Sequence, residues 1–403
     1  MALDVVLDFF LKYKVIIIFY LVVATLIFIF RKKFDIQNKI IFLLRTKIGL
    51  NLMDRIATKH REWVILLGYI GAGVGFVGMV FISGVLIKNL YDLITVENAA
   101  SGVSLVLPGA NVPGVGILPF WHWLFAIFLI AVVHEFSHGV VARAHKIEVK
   151  SSGLVLFGPI IGAFVEPDEK KMSKADDIVQ YSVLAAGAFS NILLSLIALG
   201  LLFAVSPLEQ SMRTPVGFTF DAYVSPDLPI AVAGIEPGSV ITGADGAVVT
   251  TFADLQKTLD TKKPGDTIVL KTDGVEKAIV LAANPSDATK PFLGITNIHD
   301  TFDVKPEYAG GLSYVYAVVH EMGEFFKWVF LLSMGIGVFN LLPLPIVDGG
   351  RMVQTFCRKL KGTVLGDKRY GQIGMFFLLL LLLNLLYPLI AKIPGLLVKI
   401  FAA

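Results

Sequence analysis

Two histidines and a glutamate stand together in Ala131-Val-Val-His134-Glu135-Phe136-Ser137-His138-Gly139. In a helix, residues four apart share a face, so the imidazoles of His134 and His138 reach one metal ion. Glu135 lies close enough to take a proton from a water activated there. With 7 His in 403 residues, an H-E-x-x-H run arises by chance about 0.004 times in a chain of this composition, so coincidence is a poor rival reading. A hydrolytic zinc site wants three protein ligands and an open position. Cys357 is the only cysteine, so a thiolate-based site is excluded and the third ligand is a His or a carboxylate. The best candidate is Asp348, in Asn340-Leu-Leu-Pro343-Leu-Pro345-Ile-Val-Asp348-Gly349-Gly350, where two prolines break a helix and leave polar backbone that must be buried or line a cavity. A glutamate such as Glu166 is the alternative third ligand.

The elements that must position these residues lie in lipid. Mean hydropathy is +0.74, and 55% of residues are hydrophobic against 17% charged, where soluble domains carry roughly 25% charged residues. A net charge of +3 is too small and too diluted for a nucleic-acid binder. Six stretches approach the roughly 20 apolar residues that cross a bilayer: Val15 to Phe30, Val64 to Ile87, Phe120 to Val141, Ile178 to Val205, Phe325 to Leu344 and Gly371 to Ile390. Lys and Arg crowd into residues 31–61 (nine), 143–174 (six) and 351–369 (six), whereas residues 88–119 hold one. The positive-inside rule therefore puts the three basic loops in the cytoplasm and both termini outside. Residues 31–61 are expected to face anionic headgroups. On this topology Glu135 and Asp348 both lie toward the cytoplasmic ends of their spans. Polar groups inside a span are costly and mark function.

Residues 206–311 carry a net charge of −6 against +9 for the rest. Short β-rich runs (Gly217 to Val224, Thr267 to Lys271, Ala278 to Ala282) alternate there with Asp245-Gly246 and Asp273-Gly274 turns and one amphipathic helix near Thr251 to Leu259. The run Ala231-Val-Ala-Gly-Ile-Glu-Pro-Gly-Ser-Val-Ile and the later Lys263-Pro-Gly-Asp-Thr-Ile resemble the PDZ domains of membrane-associated proteases, which bind extended peptides at a sheet edge; a spacer without ligand is the other reading. Between spans three and four, Gly153-Leu-Val-Leu-Phe-Gly-Pro-Ile-Ile-Gly-Ala-Phe-Val is too short and glycine-rich to span. It reads as a β-hairpin that is either a structural re-entrant loop or an edge for a substrate strand. His320-Glu321-Met-Gly-Glu324 imitates a zinc helix, but the 28 residues to Asp348 cover about 42 Å if helical, so it is read as interfacial. Glu166-Pro-Asp168-Glu169 is read as a solvated charge run.

The pairing of His134-Glu135-x-x-His138 with Asn340-x-x-Pro343-x-Pro345-x-x-Asp348-Gly349 resembles the site-2 protease family of intramembrane zinc metalloproteases, over about residues 105–352. The resemblance implies one zinc ion held by His134, His138 and Asp348, with Glu135 as general base. Gly187-Ala-Phe-Ser-Asn191 matches the family's G-x-x-x-N pattern, so Asn191 is expected to position substrate, as is Asn340. The expected fold is a polytopic α-helical membrane protein of about six transmembrane helices, with a small α/β PDZ-like soluble domain between spans 4 and 5 and a short membrane-associated β-hairpin. Its parts are residues 1–119 (spans 1 and 2), 120–205 (catalytic core and hairpin), 215–300 (PDZ-like), 325–350 (span 5 with the Asp motif) and 351–403 (cytoplasmic loop and last span). The expected function is intramembrane endopeptidase acting on transmembrane protein substrates, in the cell membrane. The active site is expected toward the cytoplasm and the PDZ-like domain outside, where it binds a peptide or screens substrates. No nucleic-acid partner is expected. A different membrane zincin with a Glu ligand and a non-catalytic scaffold bearing a PDZ module are the alternatives.

Overall fold

A computed structural model describes residues 2–37, 41–96, 102–103, 106–112, 115–157, 160–285 and 287–390. These divide into two compact units, one within Met1–Ala110, Leu118–Gly200 and Phe325–Ala403, the other within Asn111–Ile117 and Leu201–Glu324.

The first unit is built on long apolar helices, the one open-ended element that satisfies all its own backbone in lipid. In chain order they are α1 (Ala2–Ile29), α3 (Arg61–Thr95), α4 (Phe120–Ala144), α5 (Asp177–Ser211), α6 (Ser313–Phe339) and α7 (Asp348–Ile390); a short amphipathic helix, α2 (Leu50–Lys59), precedes α3. Among the described residues five helices, α3 to α7, are long and apolar enough to cross a membrane, one fewer than the six expected. The apolar stretch of α1, Tyr13–Ile29, spans about 26 Å against roughly 30 Å of hydrocarbon. α6 also differs from expectation. It starts twelve residues before Phe325 because His320, Glu321 and Glu324 depress local hydropathy without interrupting the helix, and it ends at Phe339. α7 is two helices joined at Gly362, whose φ of 74° lies in the left-handed region.

Small residues let these helices approach closely. Gly68, Gly71, Ala72 and Gly75 are buried on α3, and Ala185, Ala186, Gly187 and Ala188 on α5. Between α6 and α7 the chain from Asn340 to Val347 folds back on the start of α7, with the Gly349 N–H donating to the Asn340 carbonyl at 2.8 Å. A Cβ at Gly349 or Gly350 would overlap the carbonyl oxygens of Leu341 or Leu344, so only glycine permits this approach, and it fixes where Asp348 sits.

The hairpin is part of a larger sheet than the sequence indicated. Strands β1 (Asp35–Gln37), β2 (Ile41–Thr46), β3 (Val149–Phe157) and β4 (Ile160–Pro167) form an antiparallel sheet in the order β1-β2-β3-β4. β2 pairs with β3 from Ile41↔Phe157 to Thr46↔Ser152, and β4 pairs with β3 from Ile160↔Phe157 to Pro167↔Val149. Part of the basic 31–61 segment therefore extends this sheet. The Gly158-Pro159 tip lies outside the described residues.

The second unit is the acidic insert. Its main sheet runs β8-β7-β6-β5-β9, from β5 (Arg213–Tyr223), β6 (Ile241–Ala244), β7 (Thr267–Thr272), β8 (Val275–Val280) and β9 (Ile295–Val304). Asp273 and Gly274, both at positive φ, turn the β7–β8 hairpin. The helix Phe252–Leu259 carries a capping box between Thr251 and Asp254. Phe218, Phe220, Ile230, Ile241, Leu255, Ile268 and Leu270 are wholly buried, a core of the insert's own.

Candidate active site

His134 and His138 stand one turn apart on α4, and the turn before α7 brings Asp348 to them across more than 200 residues. His134 Nε2 lies 3.1 Å and His138 Nε2 3.3 Å from Asp348 Oδ2, and the two Nε2 atoms are 3.2 Å apart. All three side chains are nearly buried, 11% exposed for each histidine and 15% for the aspartate. Among the described residues this is the one cluster of His, Cys, Asp and Glu with metal-ligand spacing.

The protons on these groups decide what the cluster can hold. His138 Nδ1 lies 2.7 Å from the Val183 carbonyl, an acceptor, so that nitrogen carries the proton and Nε2 keeps its lone pair. His134 Nδ1 lies 3.1 Å from the side-chain amide of Asn191. The amide oxygen of Asn191 is otherwise unpartnered and buried; with the amide turned so that this oxygen faces the ring, His134 Nδ1–H donates to it. Asp348 Oδ2, also buried, accepts no hydrogen bond. Three lone pairs then meet within 3.3 Å, an arrangement that is repulsive without a cation among them. Tetrahedral zinc with ligand bonds of roughly 2.0–2.2 Å places its ligand atoms about 3.3–3.6 Å apart, slightly wider than the 3.1–3.3 Å found. The donor set fits zinc and leaves the fourth position open.

Gly187 of α5 supplies the room. A Cβ there would overlap Nε2 of both His134 and His138. The sequence marked Gly187 as the first residue of the G-x-x-x-N pattern without a role of its own; the fold sets it against the histidines. Asn191 stands four residues on, is fully buried and contacts His134. The structure gives Asn191 a contact with a histidine, beside the substrate-positioning role expected of it. Its backbone carbonyl also accepts from Ser333 Oγ of α6 at 2.8 Å, tying α5 to the helix that leads to Asp348. Asn340 acts through its carbonyl, which holds Gly349 in the turn.

Glu135, beside His134, is half-buried, and its Oε2 accepts the Val165 N–H of β4 at 3.0 Å. One bond fixes both the carboxylate and the strand. Glu166 is engaged elsewhere, with Arg45 and with Ser151 Oγ at 2.7 Å; the Ser151 hydroxyl first and then the Arg45 guanidinium hold its carboxyl below the usual range. It is therefore not available as the third ligand. Asp168 caps the short helix Glu169–Met172, and Glu169 makes an ion pair with Arg351, so this charge run is structural as well as solvated.

A pair of helical histidines, a converging aspartate and an adjacent glutamate among apolar helices define the class as a membrane metalloprotease. Residues 122–385 match the family described as peptidase family M50, and the chain belongs to that family, the site-2 type of zinc metalloprotease, as a multi-pass membrane protein. It is similar to the uncharacterized protein MJ0971 of Methanocaldococcus jannaschii, 24% identical over 358 residues that cover 86% of this chain and 87% of the relative. It is also similar to the zinc metalloprotease RasP of Geobacillus kaustophilus, 22% identical over 50% of this chain and 56% of that protein. Among solved structures, the PDZ domain of an SdrC-like protein from Listeria monocytogenes covers 20% of this chain and 86% of its own, at 26% identity and a TM-score of 0.18.

Proposed function

We propose that the protein is an intramembrane endopeptidase that hydrolyses a peptide bond in or near a transmembrane segment of other membrane proteins. The observation that carries this reading is the meeting of His134 Nε2, His138 Nε2 and Asp348 Oδ2 within 3.1–3.3 Å, next to Glu135, on a helix apolar enough to lie in the bilayer. Zinc, when bound by these three residues, one ion per chain, supplies Lewis acidity that polarises a carbonyl and makes water nucleophilic near neutral pH. Glu135, held by Val165, takes a proton from the attacking water and returns it to the leaving amine. Asn191 and the Val183 carbonyl hold the two imidazoles in the tautomer that points Nε2 at the site.

A helical substrate shields its own peptide bonds, so it must unwind to be cut. β4 is the last strand of its sheet and supports a role in holding the unwound segment. The Val165 N–H points away from β3, toward Glu135; Ala163 and Ile161, at the same parity, turn their N–H and C=O to that same edge. An extended substrate strand added there would run past the catalytic glutamate. The charge bias of the loops supports a site near the cytoplasmic face of the cell membrane, with the PDZ-like insert outside, where it binds or screens substrate ectodomains.

The test is co-expression with single-pass membrane proteins, followed by purified protein on a transmembrane reporter. Wild type is expected to cut and to carry zinc, while Glu135→Gln accumulates uncut substrate with its zinc retained. Equal behaviour of the two proteins on every reporter overturns the reading.

A further inference from the structure

Between the sheet and α4 lies a cavity of about 310 Å³ that Glu135 helps to line. One wall is the sheet face formed by Leu44, Leu154, Ala163 and Val165; the other is α4, through Phe128 and Val132. The hydroxyls on this face are already used: Thr46 Oγ1 donates to the Ser152 carbonyl, and Ser152 Oγ to the Ile48 carbonyl. Apart from Glu135, the lining offers apolar surface. A cavity of roughly 150 Å³ already holds a benzene ring, so this one has room for a large side chain.

We propose that this cavity is the specificity pocket of the protease, taking a large apolar side chain, leucine-like or aromatic, from a substrate residue next to the scissile bond. The proposal rests on the endopeptidase reading above. Its argument is one of parity. Side chains two apart on a strand share a face, and residues opposite one another in neighbouring strands point to the same face. Val165 and Ala163 turn their side chains into the cavity and their backbone groups to the edge of β4 away from β3, where Glu135 holds the Val165 N–H. A substrate strand added along that edge therefore directs the side chains opposite Ala163 and Val165 into the same space. Because Glu135 lines the cavity and is bound to Val165, the residue so received lies beside the bond under attack. Ala163 is the residue that sets the size of the pocket: its single methyl leaves the space that a larger side chain on β4 would fill.

The experiment uses the full-length protein and a transmembrane reporter in which each position flanking the cut is varied through Ala, Leu, Phe and Trp. Wild type is expected to favour Leu or Phe over Ala at one flanking position by at least about tenfold in kcat/KM, the range a hydrophobic pocket gives for small size changes. Ala163→Leu is expected to reverse that preference at that position alone, with zinc content unchanged. Phe128→Ala, which enlarges the opposite wall, is expected to move it toward Trp. A preference profile that neither variant moves, in proteins that still cut and still hold zinc, overturns the proposal and leaves the cavity to a lipid chain. A uniform loss across all reporters also overturns it. Failure of wild type to cut any reporter removes the endopeptidase reading and the pocket together, whereas cleavage with an unmoved profile removes only the pocket.

Discussion

Two helical clusters of histidine and glutamate share nearly the same spacing and have opposite surroundings. On α4, His134 and His138 are each held from behind by a hydrogen bond to α5, and their Nε2 atoms face a carboxylate from a distant turn. On α6, the His320 Nδ1 lies 2.7 Å from Glu209 Oε1 and 3.0 Å from Arg213 Nη2; Arg213 pairs with Glu209 and lies over the rings of Phe302 and Tyr316, and Tyr316 stacks on His320. The first cluster gathers acceptors with no proton among them. The second contains its own cation, the Arg213 guanidinium, where a metal would have to sit. Spacing nominates a site, and the charge of the neighbours decides what fills it.

The comparison breaks most visibly at the ligands. Asp348→Ala or His134→Ala should strip zinc to near zero by metal analysis and abolish cleavage; retention of stoichiometric zinc in Asp348→Ala would move the third ligand elsewhere. Glu135→Gln should keep its zinc and lose about 10²–10⁴-fold in rate, the span that a positioned acid–base group contributes. Gly187→Ala tests the space instead of the ligands. Its new methyl overlaps both imidazoles, so metal loss as complete as that of a ligand variant is expected. Gly200→Ala on the same helix meets open space and should leave zinc content unchanged. Asn191→Ala should weaken zinc binding about 10–100-fold, as loss of a histidine's hydrogen-bond partner does, measured by competition with a chelator; unchanged affinity would leave Asn191 with a substrate role alone.

The chemistry was more legible in the sequence than its support. H-E-x-x-H and the Asp348 turn stand out because polar residues in apolar runs are rare and costly, and the turns of the insert because Asp-Gly at positive φ has few alternatives. β2 was hidden because Ile41-Phe-Leu-Leu-Arg-Thr46 does not alternate and lies among basic residues, so only its pairing with β3 shows it to be a strand. α6 was placed late because hydropathy registers charge, whereas a helix needs only continued backbone pairing. Gly187 resembled any small residue that packs helices. Its contact with the imidazoles depends on how α5 meets α4, which no local pattern encodes.

The smallest expected effects lie at the second cluster, and they sharpen the contrast from the other side. His320 is 38% exposed in its side chain while Glu209 and Arg213 are 16% and 20% exposed, so the ion pair, not the histidine, is the more buried part. His320→Ala should leave zinc content and cleavage unchanged and cost on the order of 1 kcal/mol in detergent unfolding, the value of one hydrogen bond. Glu209→Gln leaves the Arg213 charge without its carboxylate in a partly buried setting and should cost more than His320→Ala, on the order of 1–3 kcal/mol, again without touching zinc. The order matters more than the sizes. If His320→Ala were the more damaging change, or if it released metal from a protein whose His134, His138 and Asp348 are intact, then α6 would hold a metal of its own and the two clusters would be alike after all.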